Sequence, residues 1–411
     1  MWEQIRSNHI KSAVMVSLMG ALLAAVGAFF GYYFFGDATV GIVLALIVWG
    51  LMWLVTYFQG DSILLSMAGA RKIEKRDNPR LFDVVEEMTI AAGLPKMPDV
   101  YIIDDPALNA FATGRDINHA SVAITSGLLE KLNRDELQGV IGHELAHIKD
   151  RDVFLMVILS VMVGAIVMLS YFATRMMFWG SITGGGGRRR SGGRDSGGGA
   201  IQLVLMVVGL ILIILAPIFA QLIYLAISRR REYLSDASSA LYTRYPEGLA
   251  SALEKLATNN THVQTANKAT APMYIADPFR KAALSADELT STHPPLADRI
   301  RILRTMAGAA YGDYQKAYEE FHKGHGIIPP SAVQSGGATT GSAGLRAPSA
   351  DNAPVSRTER ARETSNMMWK LNDYKTIDCG CGVRLRVPPA YPAELVRCPR
   401  CGEVHSIREA K

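Results

Sequence analysis

Hydrophobic and polar positions are distributed very unevenly along this chain. Four long apolar stretches, residues 12–35, 38–58, 153–179 and 201–227, contain a single charged residue, Arg175. Each is long enough, at 1.5 Å per helical residue, to cross about 30 Å of hydrocarbon. The first two are separated only by Gly36 and Asp37, which predicts a tight helical hairpin with both outer ends on one side. The last two form a second hairpin, closed by a Gly- and Arg-rich loop over 180–199. The first stretch follows Arg6 and Lys11 as a signal peptide would, but its apolar run is too long for one and a second span follows at once. It is read as an uncleaved anchor.

Between and after the hairpins the pattern changes to mixed periodicity. Residues 61–152 read as soluble α+β: a helix around Leu81–Ala92, strands at Val100–Ile103 and Val122–Thr125, then a further helix. Residues 228–328 read as a mostly helical soluble segment. Residues 329–370 are rich in Ser, Gly, Ala, Thr and Pro, and are expected to form a flexible linker, since such a composition buries too little apolar surface to offset ordering entropy. Residues 371–411 carry all four cysteines and read as a small separate module. The resulting boundaries are 1–60 for the first hairpin, 61–152 and 228–328 for the two soluble parts, 153–227 for the second hairpin, then linker and module.

Composition sharpens this picture. Hydrophobic residues make up 49% of the 411. A net charge of only +5 argues against a nucleic-acid partner, and none is expected. The basic residues cluster instead at Arg71, Lys72, Lys75 and Arg76 after the second span, and at Arg229, Arg230 and Arg231 after the fourth. By the positive-inside tendency both flanks face the cytoplasm, which predicts a multi-pass inner-membrane protein with its soluble parts on that side. Arg188, Arg189, Arg190 and Arg194 in the 180–199 loop run against that tendency. The loop reads as a flexible closure or as a lipid- or phosphate-binding arm. Without cysteines before residue 379, the bulk of the chain has no structural disulfide, which fits a reducing compartment.

Candidate chemistry begins at Asn133. Asn133 followed three residues later by Glu136 is a helix-start signal, and Leu137, Val140, Ile141 and Leu145 keep helical spacing. On that helix His143 and His147 stand one turn apart, so two imidazoles can converge on one zinc, while Glu144 lies one residue round, able to deprotonate a water. A catalytic zinc needs a third protein ligand. The best candidate segment is Ser228-Arg-Arg-Arg-Glu232-Tyr-Leu-Ser-Asp236, in which two carboxylates one turn apart suit a ligand and an acceptor for a histidine N–H. Alone, that pair equally reads as a solvated acidic helix face. His147 precedes the third span by as many turns as Glu232 follows the fourth, to within a residue, so a hairpin would bring both sets about 7 to 9 Å beyond one bilayer face.

Taken in order, Asn109-Ala-Phe-Ala-Thr-Gly, Gly127-Leu-Leu, His143-Glu-Leu-Ala-His147, Ser228-Arg-Arg-Arg-Glu232 with Asp236, and Ser291-Thr-His293-Pro-Pro-Leu-Ala-Asp-Arg299 resemble the HtpX-type membrane metallopeptidases, relatives of the type I CAAX prenyl protease. The resemblance spans roughly residues 1–310. It implies a zincin-type catalytic domain with Glu232 as third ligand and Asp236 as its neighbouring carboxylate, and with His293 and Arg299 lining the site. His293, which otherwise reads as a bystander in a helix-start loop, would stabilise the oxyanion. Asn109, Ala110 and Phe111 would belong to an edge strand that pairs with an extended substrate. The implied activity is zinc-dependent hydrolysis of peptide bonds in membrane or membrane-proximal proteins, with misfolded membrane proteins as substrates in quality control.

The C-terminal module reads Asp378-Cys379-Gly-Cys381-Gly, then Arg397-Cys398-Pro-Arg-Cys401-Gly. Paired cysteines with a glycine after each pair are the signature of a four-cysteine zinc ribbon, a closed site with no open metal position. The first pair has one intervening residue where two are usual, and the module stands outside the HtpX-type pattern, so its binding partner is unknown from sequence. The expectation is therefore a membrane protein, mainly α with a small β-sheet: four transmembrane helices in two hairpins, a zincin-type catalytic domain, a four-cysteine zinc ribbon, and two Zn2+ ions, one catalytic and one structural. Its rivals are a catalytically silent membrane scaffold and a ribbon-centred binding protein.

Overall fold

The computed structural model describes residues 2–154, 229–259, 261–266, 270–279, 293–322, 326–328, 344–349 and 357–407, with isolated positions at 157, 171 and 333. The bulk of the third and fourth apolar stretches and the whole 180–199 loop lie outside these residues.

The N-terminal hairpin forms as the sequence predicts. Helix α1 (Trp2–Phe35) ends at Gly36, whose φ of 74° reverses the chain, and Asp37 caps helix α2 (Ala38–Met67) by accepting from Thr39 N at 2.8 Å. The two helices meet at Gly27, Gly31 and Gly41, where a Cβ on Gly41 would collide with the backbone of Gly27 and Gly31. Close backbone approach through small residues is how helices pack when lipid removes the hydrophobic drive. Helix α2 is the one helix among the described residues that is both long and apolar enough to cross a membrane. Leu44, Ile47, Leu51, Leu54 and Phe58 stand exposed on it, a surface that water would penalise and hydrocarbon would not.

Beyond the apolar stretch, α2 continues without a break into the soluble part, where Leu64, Leu65 and Ala68 are buried. A four-stranded sheet follows, in the order β1-β2-β4-β3, built from β1 (Ala70–Lys72), β2 (Asp99–Ile103), β3 (Ala110–Asp116) and β4 (His119–Thr125). β2 and β4 are parallel; the outer pairs are antiparallel. Helix α3 (Pro79–Ala92), between β1 and β2, starts with Asn78 accepting from Leu81 N and stops at Gly93 in the left-handed region. Val84, Val85 and Met88 bury its apolar face. The short α4 (Ser126–Lys131) then leads into α5 (Arg134–Lys149), whose Asn133–Glu136 capping box is complete.

Helix α5 is the centre of the soluble part. Val140, Ile141 and Leu145 have no exposed surface. Its glycines let two other helices come close: a Cβ on Gly139 would lie 2.6 Å from Leu249 N in α7 (Pro246–Thr258), and Gly142 faces Ser239 in the helical residues 229–243, here α6. Helices α8 (Leu296–Thr305) and α9 (Tyr311–Phe321) complete the same core.

The segment expected to be a flexible linker differs from that reading in two places. Residues 344–349 lie against the start of α5, with Arg346 reaching Asp135 at 2.9 Å and Gln138 at 3.0 Å, and Ser349 Oγ reaching Asp135 at 2.7 Å. Helix α10 (Arg357–Leu371) packs on α4 and contributes buried Met367 and Met368 to the main core. Composition hid this because the docking rests on a few individual side chains, among them Arg346, Ser349, Arg360, Met367 and Met368, in segments that are otherwise small and polar.

The C-terminal module is two β-hairpins, β5 (Lys375–Asp378) with β6 (Arg384–Val387) and β7 (Leu395–Arg397) with β8 (Val404–Ser406). Its own small core holds Ile377, Leu385 and Val387 beside Cys379 and Cys398. Arg386 attaches it to α10, lying over the Trp369 ring and bonding Ser365 at 3.3 Å and Asn366.

Candidate metal centre

Three side chains from two helices converge in the core. His143 is fully buried and His147 largely so on α5, and Glu232, near the start of α6, is 5% exposed. His143 Nε2 and His147 Nε2 are 3.2 Å apart, and each lies 3.5 Å from a Glu232 oxygen. A tetrahedral zinc with bonds of about 2.0–2.1 Å separates its ligand atoms by roughly 3.3 Å. The spacing therefore fits the ion, and the donor set of two imidazoles and one carboxylate is a catalytic type that leaves a fourth position open. The alternative of a solvated acidic face on α6 is excluded, because Glu232 and Asp236 are both buried.

The groups behind the ligands explain how so much charge is accommodated. His143 Nδ1 meets Asp236 Oδ1 at 2.9 Å, which leaves Nε2 free to face the metal position. Asp236 in turn receives a two-pronged bond from Arg299, Nε at 2.8 Å and Nη2 at 2.7 Å, and Arg299 also donates to Ile275 O at 2.9 Å. Burial pushes the Asp236 carboxyl up, but Arg299 and His143 outweigh it and hold the group below its ordinary range. Glu232 is held well below its range in the same way, with burial opposed chiefly by His293 and His143. Arg299 thus stands behind the ligands, fully buried, as an electrostatic prop of the centre.

Glu144 has a different environment. Burial raises its pKa in spite of His143 and His147, and its Oε1 has no hydrogen-bond partner among the described residues. It lines a cleft with Ala112, His147, Asp152, Val153, Arg231, Glu232 and Met273. A buried carboxylate with a free oxygen, facing a cleft beside a metal set, is poised to bond a water. His293 is 4% exposed and its Nδ1 lies 3.4 Å from Glu232 Oε2, on the same cluster.

The sequence-predicted substrate residues are placed less simply. Asn109 bonds Ala276 O at 2.9 Å, Ala110 O accepts from Ile275 N at 2.9 Å, and Phe111 bridges Tyr274. This part of β3 is already occupied by the chain itself, while Ala112, two residues on, reaches the cleft. Sequence reasoning also missed Asp152 and Ser235, both beside His147, and Arg231, which contacts Asp152. Ser235 lies three residues after Glu232 on one helix face, which was a readable signal; Asp152, beyond the end of α5, offered none.

The four cysteines come together at the hairpin turns, each pair followed by a glycine in the left-handed region, Gly382 at φ 84° and Gly402 at φ 79°. Their sulfurs are 3.3 Å apart for Cys379 and Cys401, 3.5 Å for Cys379 and Cys381, and 3.6 Å for Cys381 and Cys398. A tetrahedron of four sulfurs around zinc has edges of about 3.8 Å, so the cluster can close on one ion with little movement. The single residue between Cys379 and Cys381 is accommodated by Gly382 N donating to Cys379 O at 2.9 Å.

Comparison with known proteins places the chain in a family. The family described as "Peptidase family M48" matches residues 75–307. A "Protease HtpX homolog" of Streptococcus agalactiae serotype III (strain NEM316) is 43% identical over 307 residues, 74% of this chain and 100% of the relative. One from Caldanaerobacter subterraneus subsp. tengcongensis is 42% identical over 306 residues, 74% of this chain and 98% of the relative. Among solved structures, S. mikatae Ste24p aligns with a TM-score of 0.38 at 20% identity, covering 73% of this chain and 66% of that one. With the metal set inside the matched region and more than half the chain accounted for, this protein belongs to peptidase family M48, the membrane zinc metallopeptidases that include the HtpX proteases.

Proposed function

We propose that this chain is a multi-pass zinc endopeptidase of the inner membrane that hydrolyses misfolded membrane and membrane-proximal polypeptides at the cytoplasmic face. The observation that carries the reading is the convergence of His143, His147 and Glu232 around one point, with the free Glu144 oxygen beside them. Zinc, held by these three residues, would supply Lewis acidity for a water and a scissile carbonyl. Glu144 is placed to take a proton from a water in the cleft and to return it to the leaving amine. His293 donates to the developing oxyanion, a role its proximity to Glu232 supports.

An extended substrate pairs with β3 beyond the stretch occupied by residues 274–276. The Ala110 carbonyl points away from β4, and by the two-residue period of a strand Ala112 faces the same side; the Phe111–Tyr274 bridge turns the Ala112 N–H toward the Met273 carbonyl, so its C=O, bordering the cleft, is the first backbone group offered to a substrate. Recognition through backbone suits a protease with many misfolded clients.

A second zinc, in the four-cysteine cluster, is structural, since four thiolates leave no open position. Four spans in two hairpins return both soluble parts and the ribbon to one side. The basic flanks at Arg71–Arg76 and Arg229–Arg231 support the cytoplasm as that side. Single cysteines introduced at Asp99 and within 329–343 in a chain lacking the native four should be labelled only from the cytoplasmic side. Labelling of the two positions from opposite sides would rule out the four-span arrangement.

A further inference from the structure

Both metal-binding histidines of α5 use Nδ1 to hold a carboxylate, but the two carboxylates come from different places. For His143 the partner is Asp236, four residues after Glu232 on α6. For His147 it is Asp152, which belongs to neither helix. Asp152 is 2% exposed, and its two oxygens bracket His147 Nδ1 at 3.0 and 3.2 Å. Ser235 Oγ approaches the same nitrogen at 3.1 Å.

The backbone is arranged to deliver this residue. Helix α5 ends at Asp150, and Arg151 adopts φ 54°, the left-handed region that side-chain-bearing residues seldom enter. The turn brings Asp152 N within 3.3 Å of His147 O and folds its side chain back beneath the ring. Arg231 then closes the arrangement from the other side, with Nη1 3.4 Å from Asp152 O and 3.7 Å from Asp152 Oδ2. The result parallels the first histidine: His143–Asp236–Arg299 on one side of the centre, His147–Asp152–Arg231 on the other. The second chain of contacts has an added property. Asp152 lies where the chain leaves the catalytic helix for the third apolar stretch, and Arg231 lies next to Glu232 where it returns from the fourth.

We propose that Asp152 is a positioning residue that fixes the tautomer and ring orientation of His147, and that with Arg231 it ties the two membrane-proximal ends of the second apolar pair to the metal centre. Accepting a hydrogen bond from the Nδ1–H, Asp152 leaves the Nε2 lone pair directed at the metal position and makes the imidazole a better ligand. The proposal rests on the zinc reading above, and the experiment separates the two.

Full-length protein in detergent, with Asp152→Ala, Asp152→Asn or Glu232→Ala, is titrated with zinc against a competing chelator. The metal of the cysteine cluster serves as an internal reference, and thermal unfolding is followed on the metal-free protein. Asp152→Ala should weaken zinc at the histidine site by about 10–100-fold, the usual effect of removing a carboxylate behind a metal-bound histidine. Asp152→Asn keeps the shape and one acceptor oxygen and should weaken it less. The metal-free melting temperature should stay close to the parent's in Asp152→Asn, a readout that a purely structural role would move. Zinc affinity within about twofold of the parent in Asp152→Ala, with Glu232→Ala still stripping the site, overturns the role of Asp152 alone. If Glu232→Ala also leaves zinc in place, the metal centre itself has been misassigned. Loss of the fold in both Asp152 variants overturns positioning in favour of a structural role.

Discussion

The two metal-ligand clusters of this protein are built on opposite plans. At the first, the groups able to hold a metal come from residues 143, 147 and 232, are almost wholly buried, and are supported by charged partners from two further segments, at residues 152 and 299. In the ribbon all four ligands fall within Cys379–Cys401, at the turns of two short hairpins, and Cys401 is exposed. The first cluster exists only because a whole domain has folded around it. The second joins two hairpins whose own apolar core is as small as Ile377, Leu385 and Val387 beside two of the cysteines, so a metal there would contribute a large share of its stability. One is thus a product of the fold, and the other a cause of it.

The largest expected effect is at the first cluster, where the buried Glu144 carboxylate stands beside the metal position. Glu144→Gln preserves size and hydrogen bonding but cannot take a proton. Hydrolysis of an unfolded model protein should fall by about 10²–10⁴-fold, with zinc content unchanged. Unchanged cleavage, after contaminating proteases are excluded, would remove the catalytic reading and leave a membrane scaffold in its place.

Next in size is the metal itself. His143→Ala or Glu232→Ala should empty the buried site and leave the ribbon loaded. Cys398→Ser with Cys401→Ser should do the reverse, unfolding the ribbon while the other zinc and the hydrolysis of an unfolded substrate persist. Metal analysis of the purified variants reads both directions. If either pair of substitutions removes both metals, the two clusters are not independent and the contrast between them fails.

The same contrast explains what could be read from the sequence. Local signals were legible: the Asn133–Glu136 capping box, the histidines one turn apart, the glycine after each cysteine pair and the Gly36 turn all act over a few residues. Glu232 could be nominated because it repeats the one-turn spacing with Asp236. Asp152 could not, because its position depends on a left-handed Arg151 that no propensity predicts. Nor could the occupation of Asn109–Phe111 by residues 274–276, since Asn109 and Ala276 stand 167 positions apart in the chain. Within 329–370, the docking of 344–349 and 357–370 escaped notice for a related reason: composition measures the average of a segment, whereas docking depends on individual side chains such as Arg346, Met367 and Met368.

That docking yields the smallest and most specific prediction. The M48 match ends at residue 307, and the segment around Arg346 lies beyond it, yet it lies against the first turn of the helix that carries His143. Asp135 there is 2% exposed and accepts from Ser349 N and Oγ as well as from Arg346. Burial pushes its carboxyl up, but these donors outweigh burial and hold it below its ordinary 3.8. A folded-state pKa lowered in this way contributes stability that is fully present above the unfolded value and is lost as pH falls through the folded one. Arg346→Ala should therefore destabilise the soluble part at neutral pH by about 1–2 kcal/mol, a figure reduced for the partial exposure of the arginine. The difference from the parent should shrink as the pH drops below about 4 and the carboxylate is neutralised. Thermal or denaturant unfolding of both proteins across that range measures it. A difference that persists undiminished in acid would mean that Arg346 acts through packing on Tyr245, whose ring it overlies at 5.4 Å, and that its pairing with Asp135 contributes little.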